Sequence, residues 1–338
     1  MRSFPRLRPT APKRSPHPVM TDLLSDVLRA VRLDGAFFYQ VEAALPWCTY
    51  ATGARDLLPD VLPEAEQLIP YHILLSGTCW AGLEGEPPIR MEAGDVVVFP
   101  HGGAHVMSGT EERHAYVATI EEGPRRYPET VLLGPAGTRD TTLVCGFLGC
   151  DVRPYNPLLT ALPDCIHVRG IADGWLGRFP RQVVEESRAG TAGSETMLTR
   201  MAELMFIEVI RQHLQGIPGE QRGWLAGLHD PVIGLALTKI HAEPARSWTL
   251  AELARVTRSS RSVLAERFTG IVGVPPMQYL MKWRLQLAAE QLATGSAKVA
   301  AVATSVGYDS EAAFSRAFKR ETGLSPGAWR QSRSGKAR

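Results

Sequence analysis

The chain has 338 residues, of which 44% are hydrophobic, so it is too apolar to be disordered and long enough for two or three packed domains. Its net charge of +2 conceals an asymmetry, because residues 230–338 contain 16 Lys and Arg against 8 Asp and Glu, whereas residues 1–229 contain 21 against 27. No segment approaches the roughly 20 apolar residues of a membrane span and no apolar signal-peptide core opens the chain, which predicts a cytoplasmic protein without membrane contact.

The first 19 residues are rich in proline and arginine and contain little that could be buried, so a disordered basic tail is predicted over 1–19. Translation could begin at Met20 instead of Met1. The five cysteines include no CxxC pair, which is typical of reduced thiols in the cytoplasm.

Residues 20–190 are predicted to form a small β-barrel or sandwich. Short apolar segments such as YHILLSG, CWAGLEG and DVVVFP are separated by Gly and Pro, as in a sheet of short strands. The segment GDVVVFPHGGAH spaces its glycines, its proline and His105 in a way that resembles the second sequence motif of cupin barrels. The first cupin motif is eroded, because PEAEQLIPYHILLSG retains only His72 on its strand.

Three histidines, His72, His101 and His105, are candidate metal ligands at the barrel mouth. Three imidazoles can hold zinc or another divalent ion, although each could instead be a polar core residue or face solvent. The glutamate and paired histidines of the first cupin motif are missing, so the resemblance does not imply a dioxygenase centre. No cofactor is therefore required, and an unknown small-molecule effector or a metal such as zinc is expected to be sensed instead of turned over.

Cys145 and Cys150 lie in TTLVCGFLGCDVRPYNPLLTALPDCIHV, which resembles the strand and PLL…LP element that follows the barrel in cupin-type AraC regulators. The second cysteine departs from the usual Phe-Asp at that place. Oxidation of this pair, or of Cys48 and Cys79, would make a redox switch. The alternative is that these side chains are small buried hydrophobes.

The segment GSETMLTRMAELMFIEVIRQHLQG has a broad apolar stripe at helical spacing, which predicts a helix that needs a partner surface. In the resembling family the helices after the barrel commonly serve dimerisation. A homodimer through 194–215, within a helical linker over 191–229, is therefore the preferred interpretation. Packing of this helix on its own barrel is the alternative.

The C-terminal region repeats itself at an offset of fifty residues, which pairs Ser260 with Ser310 and continues through the apolar, Gly and Pro positions that follow. Each copy predicts a short apolar helix, a turn and a second helix with a serine N-cap, which is the pattern of a helix-turn-helix. A helix over 276–294 joins the copies. At 1.5 Å per residue it spans about 28 Å, near the roughly 34 Å of one DNA turn.

Residues on the outward faces of the two second helices are predicted to contact DNA, because they alternate with apolar positions four residues apart. Arg can bond guanine with two hydrogen bonds, and Ser or Ala can lie against base edges or a thymine methyl group. Each could also be an ordinary exposed helix residue. The candidates are Ser260, Arg261, Ser262, Ala265 and Glu266 in the first copy and Ser310, Glu311, Ala312, Ser315, Arg316, Lys319 and Arg320 in the second.

The segments WTLAELA, FTGIVGVPPMQYLMKWRLQLAAEQL and VATSVGYDSEAAFSRAFKRETGLSPGAWR resemble the DNA-binding domain of AraC/XylS-type transcription regulators over residues 230–332. The resemblance implies binding of two adjacent major-groove segments of double-stranded DNA near a promoter, and contacts with RNA polymerase. In that family the second recognition helix is the uniform one, so promoter choice is expected to depend on the first. Glu266 departs from the basic or amide residue that family members often carry there.

Together these features predict an α+β multidomain protein with a cupin-like β-barrel, a helical linker or dimerisation segment, and an all-α domain over 230–334 in which a long helix joins two helix-turn-helix units. The predicted function is that of a transcription regulator, not an enzyme, controlled by a small ligand or metal in the barrel. Two alternatives remain: a redox-sensing regulator, and a cupin enzyme with an accessory DNA-binding domain.

Overall fold

A computed structural model describes eight segments of the chain. The basic tail predicted over 1–19 lies outside them, as does part of the predicted linker. None of the described helices is long and apolar enough to cross a membrane. The described segments are 22–31, 33–63, 65–112, 130–152, 154–170, 179–189, 191–216 and 223–334.

The described strands form two sheets, as predicted for a barrel or sandwich. The first sheet has the strand order β10-β6-β3-β9-β1-β8 and the second has the order β2-β7-β4-β5. Within the described strands, β1 and β8 pair in parallel and the other pairs are antiparallel. Strands β1 to β10 are, in chain order, Leu33–Ala43, Cys48–Ala51, Gln67–Ser76, Thr78–Leu83, Ile89–Glu92, Val96–Val98, His105–Ser108, Thr130–Leu133, Thr141–Cys150 and Ile166–Val168.

The six-stranded sheet is buried on both faces. Side chains alternate along β3, so Ile69, Tyr71 and Ile73 pack on the outer face, whereas His72 and Leu74 lie on the inner face, between the two sheets. A strand that is buried on both sides needs apolar residues at successive positions. This explains the apolar run YHILLSG.

Helices flank the barrel and build the C-terminal third of the chain, which we call the helical domain (residues 223–334). Helices α1 to α5 are Leu23–Ala30, Ala54–Val61, Pro157–Ala161, Phe179–Ala189 and Ser194–Gly216. In the helical domain, α6 to α13 are Trp224–His229, Pro231–Ala242, Leu250–Val256, Arg261–Val272, Pro276–Thr294, Val299–Ser305, Glu311–Thr322 and Pro326–Ser334.

Both copies of the fifty-residue repeat fold as helix-turn-helix units, as predicted. Helices α9 and α12, the recognition helices, begin after Ser260 and Ser310, whose hydroxyls accept a hydrogen bond from the backbone three residues later. Both helices end at a glycine in the left-handed region, Gly273 and Gly323. Between the two units, α10 covers the predicted 276–294.

Helix α5 packs on the outer face of the six-stranded sheet of its own chain. Ala202, Met205 and Val209 are completely buried in the apolar cluster that covers this face. Of the predicted apolar stripe, Met205 and Ile210 are therefore buried within the chain itself, as in the alternative to a dimer interface. Met197 and Leu204 stay exposed, by 53% and 50%.

Two buried polar side chains of the helical domain bond to the N-terminal part of the chain. Gln286 on α10 donates through its amide nitrogen to the carbonyl oxygen of Ala30 (2.7 Å) and accepts from the backbone nitrogen of Tyr155 (3.1 Å). Both partners belong to the barrel half of the chain. Since an unpaired buried amide costs about 1–3 kcal/mol, Gln286 fixes the position of α10 against this half.

Arg333 on α13 makes the second polar connection. Its guanidinium donates to Glu66 (2.6 Å) and to Asp151 (2.8 Å), and it lies over the Trp329 ring at 4.7 Å. The arginine and the glutamate are both more than nine-tenths buried, so each charge depends on the other for solvation.

Arg333→Ala should lower the free energy of unfolding by about 3 kcal/mol, because it leaves two carboxylates buried without a cation. Urea denaturation followed by tryptophan fluorescence measures the change. The control is Arg200→Ala, which removes a surface ion pair with Glu203 and should cost no more than about 0.5 kcal/mol. Equal effects of the two substitutions would contradict the assignment.

Candidate functional site

The outward face of α9 carries the predicted DNA-contacting residues of the first unit. Arg261, Ser262 and Glu266 are exposed and Ala265 is half-buried. The opposite face packs in the core through Leu264, which is completely buried. The local sequence therefore turns the apolar positions inward and leaves a polar face for a ligand.

The outward face of α12 is built in the same way. Phe314 and Phe318 are completely buried, and Ser315 between them is half-buried. The face is more basic than that of α9, which suits contact with phosphates and guanine. Its exposed residues are Glu311, Ala312, Arg316, Lys319 and Arg320.

The sequence patterns missed two exposed residues of the first unit. Val263 is 52% exposed on α9, beside Ser262, although an apolar residue favours the core. Arg258 is exposed in the turn before α9 and has a φ of 53°, where the second unit has Gly307 at 86°. An L-residue in this conformation costs roughly 1–2 kcal/mol, and here it adds a positive charge beside α9.

A buried hydrogen-bond network supports α9 from behind. Trp224 Nε1 donates to the Tyr279 hydroxyl (2.8 Å), and this hydroxyl donates to His241 Nε2 (2.8 Å). Burial lowers the pKa of His241 from 6.5 to about 3, so the imidazole is neutral and can accept. The Phe268 ring of α9 meets the Tyr279 ring edge to face at 5.7 Å, which places the recognition helix on this network.

A histidine pair lies between the two sheets of the barrel. His72 Nε2 and His105 Nε2 are 2.8 Å apart, and His105 Nδ1 donates to the carbonyl oxygen of Gly103 (2.9 Å). Burial lowers the pKa of both imidazoles, that of His105 to about 4. With both rings neutral, His72 Nε2 is the donor in the pair and His72 Nδ1 is an acceptor, buried without a partner among the described residues.

The three histidines predicted as metal ligands do not come together. His101 Nε2 instead bonds the carbonyl oxygen of Leu162 at 2.9 Å. Within the described segments, no group of three or more His, Cys, Asp or Glu side chains could hold a metal ion. The pair His72 and His105 supplies only two nitrogen ligands, fewer than zinc sites in proteins use, so the described residues do not fit the predicted metal.

The cysteine pair predicted for redox sensing is also separated. Cys145 and Cys150 are five residues apart on β9, so they point to opposite faces, and their Cα atoms are about 16 Å apart by strand rise. A disulfide needs Cα atoms within about 7 Å. Burial also raises the pKa of both thiols, which suppresses the reactive thiolate. These cysteines are buried hydrophobes, the alternative interpretation.

Two family models match the chain. Residues 22–215 match the cupin family and residues 253–332 match a helix-turn-helix domain family. An AraC-like transcription regulator of Streptomyces antibioticus is 36% identical over 284 residues, which cover 80% of this chain and 89% of that protein. The HTH-type transcriptional regulator AlkR of Acinetobacter baylyi is 28% identical over 92% of this chain and 99% of its own length. These relatives are named as regulators, not as enzymes.

Two solved structures also resemble the chain. The DNA-binding domain of AdpA, crystallised with a target DNA, covers 32% of this chain and 96% of its own, with 27% identity and a TM-score of 0.31. ToxT from Vibrio cholerae covers 91% of this chain and 99% of its own, with 11% identity and a TM-score of 0.35.

The histidine pair should make stability fall with acid. His105 has a pKa of about 4 when folded and 6.5 when exposed, so the unfolded chain binds more protons between these values and stability is lost as the pH drops from 6.5 towards 4. The shift of His105 alone should lower the free energy of unfolding by about 2 kcal/mol between pH 7 and pH 5. Urea denaturation at both pH values measures the loss.

His105→Asn should remove about this share of the loss, whatever its effect at pH 7. The control His229→Asn changes an exposed histidine and should leave the difference between pH 7 and pH 5 as in the wild type. If His105→Asn lost as much stability between pH 7 and pH 5 as the wild type, the prediction would be wrong, because His105 would then not contribute to the loss.

Proposed function

The chain belongs to the AraC-like family of helix-turn-helix transcription regulators, and on that premise we propose that it binds two adjacent major-groove segments of double-stranded DNA through α9 and α12. The observation that carries the proposal is the pair of matching exposed helix faces, each opposite a completely buried aromatic pair or Leu-Phe pair. A single helix, α10, joins the two units. Sites about one DNA turn apart would receive both helices.

The barrel is the proposed control element of this function. His72 Nδ1 is a buried acceptor without a described partner, and such a group favours a ligand that can donate a hydrogen bond. We therefore propose a small effector with a hydroxyl or amino group, in place of the metal that the described residues do not fit. Gln286 and Arg333 offer a physical route from the barrel to the helical domain.

RNA polymerase is a further proposed partner. A regulator that holds two turns of promoter DNA on one face of its helical domain leaves the other surfaces of that domain for a second protein. Since the DNA that it is proposed to bind is chromosomal, the cytoplasm is the proposed site of action.

Arg316→Ala should weaken binding to a duplex selected by the full chain by about 1–3 kcal/mol, because Arg316 is exposed on α12 and would bond guanine with two hydrogen bonds. Gel shift at several salt concentrations measures the loss. Arg90→Ala, which removes an equal charge from an exposed position of β5, is the control and should leave the affinity unchanged. An Arg316→Ala protein with wild-type affinity would refute base contact by this residue.

We also propose that the chain forms a homodimer through the exposed side of α5, within the predicted 194–215. Met197 and Leu204 are seven residues apart, on one side of the helix, and both are about half exposed. The same side of the helix also carries Arg200 and Arg211, which pair with Glu203 and Glu208. Exposed apolar side chains together with arginines are typical of an interface.

Leu204→Glu should weaken the dimer by about 2 kcal/mol or more, which is roughly 30-fold in the dissociation constant, because it buries a charge in the interface. Sedimentation velocity over a concentration series measures the change. The control Leu132→Glu puts the same charge on a residue that is 60% exposed in β8, outside α5. A dimer of unchanged affinity in Leu204→Glu would exclude this face.

A further inference from the structure

Glu266 occupies the centre of the outward face of α9. At 100° per residue, it lies opposite the midpoint of Leu264 and Phe268, the two completely buried residues of the helix. Ser262, one turn before, is also exposed. Glu266 therefore lies in the middle of the face that α9 would present to a major groove.

No cation of the described chain neutralises this carboxylate. The neighbouring Arg267 turns away from it and donates to Asp230 through Nε (3.0 Å) and Nη2 (2.7 Å). Within the described segments Glu266 has no ion pair or hydrogen bond. An unneutralised carboxylate would thus face DNA, whose phosphate backbone repels it.

A hydrogen-bond donor on a base edge could stabilise this carboxylate, whereas phosphates only repel it. A carboxylate only accepts hydrogen bonds. The major-groove edge of cytosine presents the N4 amino donor, whereas adenine sets its N6 donor beside the acceptor N7, and guanine and thymine present acceptors. Cytosine is the one base whose donor is not accompanied by an acceptor of its own.

We infer that Glu266 is a specificity-determining residue that accepts a hydrogen bond from N4 of a cytosine in the half-site bound by α9. The inference rests on the proposed function and adds the chemistry of one base contact to it. The repeat strengthens it by contrast, because position 266 matches Arg316 at the offset of fifty, and an exposed arginine favours guanine. Because the first unit carries a glutamate where the second carries an arginine, the two units are expected to prefer different half-site sequences.

Selection of duplexes from a random library by the full chain tests this inference. The wild type should select a two-part motif with one invariant cytosine in one half. Glu266→Gln should select adenine at that position, because glutamine both donates and accepts and matches N6 and N7 of adenine. The other positions of the motif should not change.

Glu243→Gln is the matched control, since it removes the same charge from an exposed residue of the helical domain that lies outside both recognition helices. It should leave the cytosine in place. If Glu243→Gln altered this position as Glu266→Gln does, the effect would come from the loss of negative charge in general and the inference would be wrong.

A second measurement needs no variant. In the selected duplex the cytosine is replaced by N4-methylcytosine, which keeps its base pair and loses its free N4 hydrogen in the groove. Wild-type affinity should fall by about tenfold or more, and Glu266→Gln should lose less than the wild type.

The remaining outcomes separate the inference from the proposed function. A two-part motif without a fixed cytosine, or one that Glu266→Gln leaves unchanged, would overturn the inference and leave the regulator intact. Binding without any motif would overturn the proposed function, and the inference with it.

Discussion

The six-stranded sheet of the barrel must be covered on both faces, and this requirement joins the two halves of the molecule. Its inner face packs on the second sheet. Its outer face belongs to one apolar cluster that continues through Met205 of α5 to Leu237 of α7 and Trp283 of α10. Apolar burial is not directional, so the cluster supplies cohesion, and the buried contacts of Gln286 and Arg333 fix how the halves meet.

Helix α10 lies at the centre of this arrangement because it contributes to two cores. Tyr279 and Trp283 pack with the first unit, whereas Leu285 and Leu292 pack with the second. The same helix holds the barrel through Gln286. A displacement of the barrel against α10 would therefore be felt by both recognition helices, since packed cores transmit strain instead of absorbing it.

Burial decides the chemistry of the barrel. The thiol of Cys145 and the imidazoles of His72 and His105 keep their neutral forms, because burial raises the pKa of the first and lowers the pKa of the others. Neutral groups between two sheets are suited to hydrogen bonding and poorly suited to redox or acid-base chemistry at neutral pH. A site for recognition agrees better with this interior than a site for turnover.

The sequence by itself determined the elements that depend on local patterns: the strands, the repeat, the caps at Ser260 and Ser310, and the outward faces of both recognition helices, because periodicity and capping are properties of neighbours in the chain. Only the tertiary structure decided which side chains meet across the fold. It kept His101 apart from the histidine pair, separated the two cysteines, covered one side of α5, and placed Arg333 between Glu66 and Asp151. Strand order and domain packing bring such residues together, and neither is encoded in spacing along the chain.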